Sequence, residues 1–157
     1  MRILVYTKME NVIFHRVSAE IIIMCRAFYK GKGDVKKARV LSFGVNKMGD
    51  TEGKTPGVHA EYDAINKLIP LKNKKKLEPI NLLVIRLSTK NKIQSSKPCS
   101  NCIEIMKTLP SKKGYKIEVI YYSDEDGNII KTNLKKLDLE EKHLSKFYNR
   151  DLFNNTS

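Results

Sequence analysis

Apolar residues crowd into "AEIIIMCRAFYK" (19–30), a stretch rich in β-branched and aromatic side chains that predicts a strand. "GKGD" supplies turn residues, and "KKARVLSFGVNK" (36–47) predicts the returning strand of a β-hairpin. "MGDTEGKTPG" (48–57) is a loop by its Gly, Pro and Asp content. The spacing then changes. Ala60, Ala64, Ile65, Leu68 and Ile69 recur at helical intervals, predicting a helix over 59–69 that Pro70 stops. After a charged loop at 71–78, "PINLLVIRLST" (79–89) is apolar enough for a strand in the middle of a sheet. "KNKIQSSK" is again a loop. A second helix is predicted over 99–109, with Cys102, Ile103, Met106 and Leu109 as its inner stripe and Pro110 at its end. "YKIEVIYYS" (115–123) predicts a strand, "DEDGN" a turn, and "IIKTNL" (129–134) the strand that comes back. Residues 1–18 are mixed with some helical character, and the tail "EEKHLSKFYNRDLF" predicts a short helix. No repeat or boundary divides the chain. We therefore expect a single α/β domain over 1–157, with its core at 19–134, built as a mixed sheet flanked by helices.

Composition narrows the class. A chain of 157 residues with 41% apolar content suits one folded domain with a sizeable core. No run approaches the roughly 18 apolar residues of a membrane span, and the N-terminus lacks a secretion signal. Three cysteines, two of them three residues apart, suit a metal better than a disulfide framework, so a reducing, cytoplasmic setting is expected. The net charge of +13 invites an anionic partner, but 24 Lys against 6 Arg, with 12 Asn and 16 Ile, looks more like the imprint of an A+T-rich genome. Of the lysines, only Lys47, Lys54 and Lys97 come from loops next to the chemical motifs, where they could serve a single nucleotide phosphate; for Lys97 a solvated side chain is the alternative. The "KNKKK" run is expected to be a solvated loop remote from them, and Arg86, within a strand, is assigned no role beyond pairing with a carboxylate.

The chemistry lies in "TPGVHAEYDAINKL" (55–68) and "SSKPCSNCIEIMKTL" (95–109). His59, Cys99 and Cys102 are three good zinc ligands, and a catalytic zinc keeps a fourth position for water. Cys99 and Cys102, at i and i+3, share one side of a helix turn, and the helix N-terminus favours thiolates. Residues i and i+2 do not share a helix face, so His59 and Glu61 converge only if they project past the helix end. Glu61 is not needed as a ligand. A spare carboxylate beside activated water is what general acid/base chemistry requires, although Glu in a first turn also serves as a cap. If the site were structural, a fourth ligand would come from Cys25, His15 or His143. Cys25, in an apolar strand, is expected in the core instead.

"VHAEYDAI" and "KPCSNC", in that order and separated by one strand, resemble the two zinc motifs of the cytidine deaminase-like superfamily, the H-x-E…P-C-x-x-C signature of zinc deaminases. The likeness covers roughly residues 19–134. It implies His59, Cys99 and Cys102 as Zn²⁺ ligands and Glu61 as the catalytic proton shuttle. "SFGVN" resembles the segment in which that family places a substrate-contacting asparagine, here Asn46, and the resemblance puts Ala60 at the substrate too. It also implies a three-layer fold, a five-stranded mixed sheet with helices on both faces. The hairpin at "DEDGN" points to an antiparallel last strand, as in the free-nucleoside deaminases and some toxin-type deaminases; the tRNA adenosine and polynucleotide cytidine deaminases have a parallel one. "SKPC…GYKIEVIYYSDEDGNI" looks closest to deaminase-like proteins of large DNA viruses and fungi, whose substrates the resemblance does not supply. The lysine-rich stretch at 71–78 and Lys97 before Pro98 depart from the family pattern.

The expected function is hydrolytic deamination of cytosine in a free cytidine or deoxycytidine species, nucleoside or nucleotide. There is no membrane partner, and a homo-oligomer is compatible with the pattern. Two alternatives stand beside it: a deaminase that edits single-stranded DNA or RNA, and a zinc-stabilised binding or virion-associated module without turnover.

Overall fold

In the computed structural model, residues 19–29, 35–47, 57–72, 75–90 and 92–140 are described, with side chains from Val40 onward. The expectations for residues 1–18, Lys54, His15, His143, the Cys25 side chain and the tail helix lie outside the described residues.

The predicted hairpin is formed by β1 (Ala19–Tyr29) and β2 (Val35–Val45), paired antiparallel from Ile21–Val45 to Tyr29–Val35. Next come α1 (Ala60–Asn66), β3 (Glu78–Leu87), β4 (Ile93–Gln94), α2 (Ser100–Lys112), β5 (Tyr115–Ser123), β6 (Ile129–Thr132) and α3 (Leu134–Leu139). The sheet runs β2-β1-β3-β5-β6, with the two-residue β4 paired to β3 off that path, so among the described residues it holds six strands, one beyond the expected five. β1 is antiparallel to both β2 and β3, β3 is parallel to β5, and β6 returns antiparallel to β5, as the "DEDGN" turn predicts.

Strand direction decides where the helices begin. β2, β3 and β5 run the same way, so β2–α1–β3 and β3–α2–β5 are both crossovers, the connection that strands of like direction require. Each helix runs back along the sheet and starts at the edge where those strands end. The core lies between the sheet and a single layer of helices: α1 lies over β1 and β2, α2 over β5, and α3 against α2 and β5. Among the described residues the expected second layer of helices is absent. Ile80, Leu82 and Val84 of β3 are 0–1% exposed, as a central strand requires, and they join Ile65, Leu68, Met106 and Ile120 in one apolar cluster. Burying one such side chain stabilises by roughly 1.5–3 kcal/mol. None of the described helices is long and apolar enough to cross a membrane.

Several boundaries differ from expectation. α1 ends at Asn66, because the chain tightens into a turn in which Leu68 N–H donates to Ile65 O at 3.1 Å. Ile69, counted in the helical spacing, consequently lies outside the helix and is 77% exposed. α2 runs through Pro110 to Lys112. Proline already has a helical φ, so near a C-terminus it costs little beyond one missing N–H. Gly114, at φ +87, makes the actual stop. The "KNKIQSSK" loop contains β4, and Asn133, assigned to the last strand, instead caps the unpredicted α3 by accepting Lys136 N–H at 2.9 Å.

Candidate metal centre

His59 and Cys99 occupy the same kind of position: each is the N-cap of its helix, α1 and α2. Both have extended backbones, φ −71 and ψ 147 for His59 and φ −75 and ψ 164 for Cys99, and neither side chain caps its own helix. They turn towards each other instead. His59 Nδ1 lies 3.2 Å from Cys102 Sγ and 3.6 Å from Cys99 Sγ, and the three ligand atoms lie within 4.8 Å of one another. Around one tetrahedral ion with ordinary metal–sulfur and metal–nitrogen bonds, nitrogen and sulfur would stand roughly 3.6 Å apart. The group therefore fits a metal ion. Cys99 and Cys102 are 6% and 0% exposed, while His59 is half-buried and marks the open side.

The same N-cap geometry resolves the conflict over Glu61. His59 lies just outside the helix with an extended backbone, so the rule that residues i and i+2 of a helix face apart does not bind it to Glu61. Glu61 is buried at 2% exposure, and its carboxylate faces Cys102. The thiols are unequal. A hydrogen bond from Cys102 lowers the Cys99 thiol to about 4 against the opposing effect of burial, with help from His59. The Cys102 thiol is pushed up by its hydrogen bond to Cys99, by burial and by the negative charge of Glu61. A cation at the centre of the cluster would stabilise both thiolates.

α1 is brought this close by Gly44. A Cβ there would lie 2.1 Å from Ala60 O and 2.4 Å from Ala64 N, so only glycine allows the contact. Beside it, Ser42 Oγ donates to Ala64 O at 2.8 Å. Asn46 Oδ1 accepts Ala60 N–H at 2.7 Å, supplying the first-turn cap that His59 does not. Asn46 is exposed next to His59, whereas Ala60 is fully buried with its N–H taken.

Three features escaped the sequence reading. Asp63, 6% exposed, accepts Lys67 Nζ at 2.6 Å, Lys47 Nζ at 2.9 Å and Val45 N–H at 3.2 Å. Burial opposes its ionisation, but these bonds prevail and hold it at about 2. The i, i+4 spacing of Asp63 and Lys67 was the available signal. Second, Ser96 and Ser123, 2% and 0% exposed, lock the loop before Cys99 to the strand ends. Ser96 Oγ donates to Val84 O at 2.9 Å and accepts Ser123 N–H at 2.8 Å, and Ser123 Oγ donates to Gln94 O at 2.6 Å. Third, Lys97, read as either a phosphate contact or a solvated side chain, forms an ion pair with Glu140 at 2.7 Å.

No protein-family model matches the chain, and no curated protein is similar to it.

Proposed function

We propose that the chain is a zinc-dependent hydrolytic deaminase of the cytidine deaminase-like kind, acting on cytosine in a nucleoside or nucleotide. One observation carries the reading: a buried carboxylate, Glu61, faces Cys102 in a His–Cys–Cys cluster spaced for a single ion. A structural site has no use for that carboxylate. The antiparallel last strand and the two motifs support the same reading.

His59 Nδ1 and the sulfurs of Cys99 and Cys102 would hold the zinc, whose chemistry when bound is to activate water for attack on C4 of the base. Glu61 takes a proton from the attacking water and gives it to ring N3. It then takes the proton of the hydroxyl newly bonded to C4 and delivers it to the amine as the C4–N bond breaks, so that cytosine and water become uracil and ammonia. Its burial excludes competing solvent protons. Asn46, fixed to α1 through Ala60 N–H, is placed for contact with a sugar or base; Ala60 serves as its anchor.

The test is ammonia release by metal-replete protein from cytidine, deoxycytidine, their monophosphates and cytosine-containing oligonucleotides, with adenosine as a control. Glu61→Ala should retain metal and fold yet lose about 10²–10⁴-fold in turnover, the usual contribution of a positioned acid/base. Near-parental rates would remove Glu61 from the mechanism. No ammonia from any substrate would leave the metal-stabilised binding module.

A further inference from the structure

Among the described residues, the lysines beside the motifs are already engaged. Lys47 and Lys67 bind Asp63, and Lys97 binds Glu140. A different set lies at the end of β3. The turn between β3 and β4 is closed by Ser88 N–H donating to Lys92 O at 2.8 Å, while Ser88 Oγ accepts the N–H groups of Lys90 and Lys92 at 3.3 and 3.1 Å. Arg86 pairs with Gln94 across the strands, so both side chains emerge on one face. The result is an open cleft of about 630 Å³ lined by Arg86, Lys90 and Lys92, with Ser88 and Ser95 among its hydroxyls and Glu125 as the one carboxylate among the described lining residues. Arg86, Lys90 and Lys92 form no ion pair with any described residue.

The lining selects the ligand. Among the described residues its lining has no aromatic ring on which a base would stack, and Ile93 is its one large apolar residue. Three cations with several hydroxyl groups match an anion bearing more than one charge, and the guanidinium fork of Arg86 matches two oxygens on one phosphorus. The volume exceeds what a single phosphate fills.

We propose that this cleft binds phosphate in a chain, as the polyphosphate of a nucleotide or the phosphodiester backbone of a single strand. Ser95 lies four residues before Cys99, so the cleft wall and the metal ligand are at most about 14 Å apart along the backbone. A phosphate chain held there reaches towards the metal centre. The binding does not depend on deamination: it is read without turnover, so its failure and that of the proposed reaction are separable.

The experiment titrates the full-length, metal-replete protein with inorganic pyrophosphate and, in a second arm, with oligothymidylate, which offers no amino group to remove. Amide NMR shifts map the site in the unaltered protein, and calorimetry gives affinity. Shifts should concentrate at 86–95. The variant R86E/K90E/K92E should lose at least about tenfold in affinity, since hydrogen bonds to charged groups contribute strongly. The control K72E/K112E/K116E, equal in charge change but placed at the opposite edge of the sheet, should change affinity less than about twofold if the site is local. Stronger binding of pyrophosphate identifies a free nucleotide as the source of the phosphate. Stronger binding of oligothymidylate, with a steep loss in salt, identifies a strand. Equal losses in the two variants, shifts spread over all lysines, or no binding of either probe would overturn the proposal.

Discussion

The two ends of the α1–α2 pair satisfy their backbones in opposite ways. At the C-terminal ends, polar groups pair as helix ends ordinarily do. Lys113 Nζ donates to Asn66 O at 2.7 Å and Leu68 O at 3.0 Å, Tyr115 OH donates to Ile69 O at 2.8 Å, and Leu71 N–H donates to Lys113 O at 3.0 Å. At the N-terminal ends, both N-cap residues leave that duty. Neither His59 nor Cys99 caps its helix, and α1 borrows the Asn46 side chain from the end of β2. Cap geometry thus separates an end that only terminates helices from one whose side chains converge on a shared centre.

Substitutions at the two ends should differ in kind. The largest effect is expected from Gly44→Ala. Its Cβ would meet backbone atoms of Ala60 and Ala64, which cannot rotate away, so α1 must shift. Overpacking of this sort costs typically 1–3 kcal/mol, and the shift carries His59 with it. Chemical denaturation and metal content should therefore fall together; loss of stability with metal affinity intact would show that the contact merely packs. Ser123→Ala removes the hydroxyl bound to Gln94 O and should destabilise by about 1 kcal/mol or somewhat more. Ser123→Thr, if accommodated, should restore metal retention. Weaker metal binding in the alanine variant but not the threonine one would mark the serine pair as positioning the Cys99 loop.

A smaller effect concerns Asp63, which ties α1 to the end of β2. Its folded pKa lies near 2, below the ordinary 3.8, so its contribution is complete above about pH 4 and is lost as pH falls towards 2. Because Lys47 and Lys67 are 57% and 43% exposed, water screens the pair, and about 1 kcal/mol is expected. Asp63→Asn should flatten that part of the acid-unfolding curve; an unchanged curve would assign acid sensitivity elsewhere. The smallest effect belongs to the ordinary end. Lys113→Met should cost about 1 kcal/mol or less and leave metal content unchanged. A loss of metal there would erase the contrast between the ends.

The sequence showed these regions unevenly. The hairpin, the limits of β5 and the two motif segments were legible because period, turn residues and ligand spacing are local signals. Ile69 was misplaced because helical periodicity does not say where a helix stops, and Pro110 was read as a barrier although its φ suits a last turn. The two-residue β4 and the six-residue α3 are too short for a period, and tertiary contacts set them. For Asp63 the i, i+4 spacing to Lys67 was the one local signal, and Ser96 and Ser123 gave no sign of their roles, since their partners lie in distant strands. Arg86 was passed over for the same reason: its neighbours Lys90 and Lys92 join it only once the chain folds back through β4. The Glu61 conflict vanished when His59 proved to be a cap with extended backbone, which residue spacing alone does not reveal.

The central claim is that two helix N-caps and one first-turn cysteine form an open, three-ligand metal site. X-ray absorption at the zinc edge of metal-replete protein tests it most directly. The account predicts two sulfurs at about 2.3 Å and two lighter donors, one of them His59 and the other from solvent. A third sulfur, which only Cys25 could supply within one chain, would close the site and contradict it, as would a first shell without sulfur.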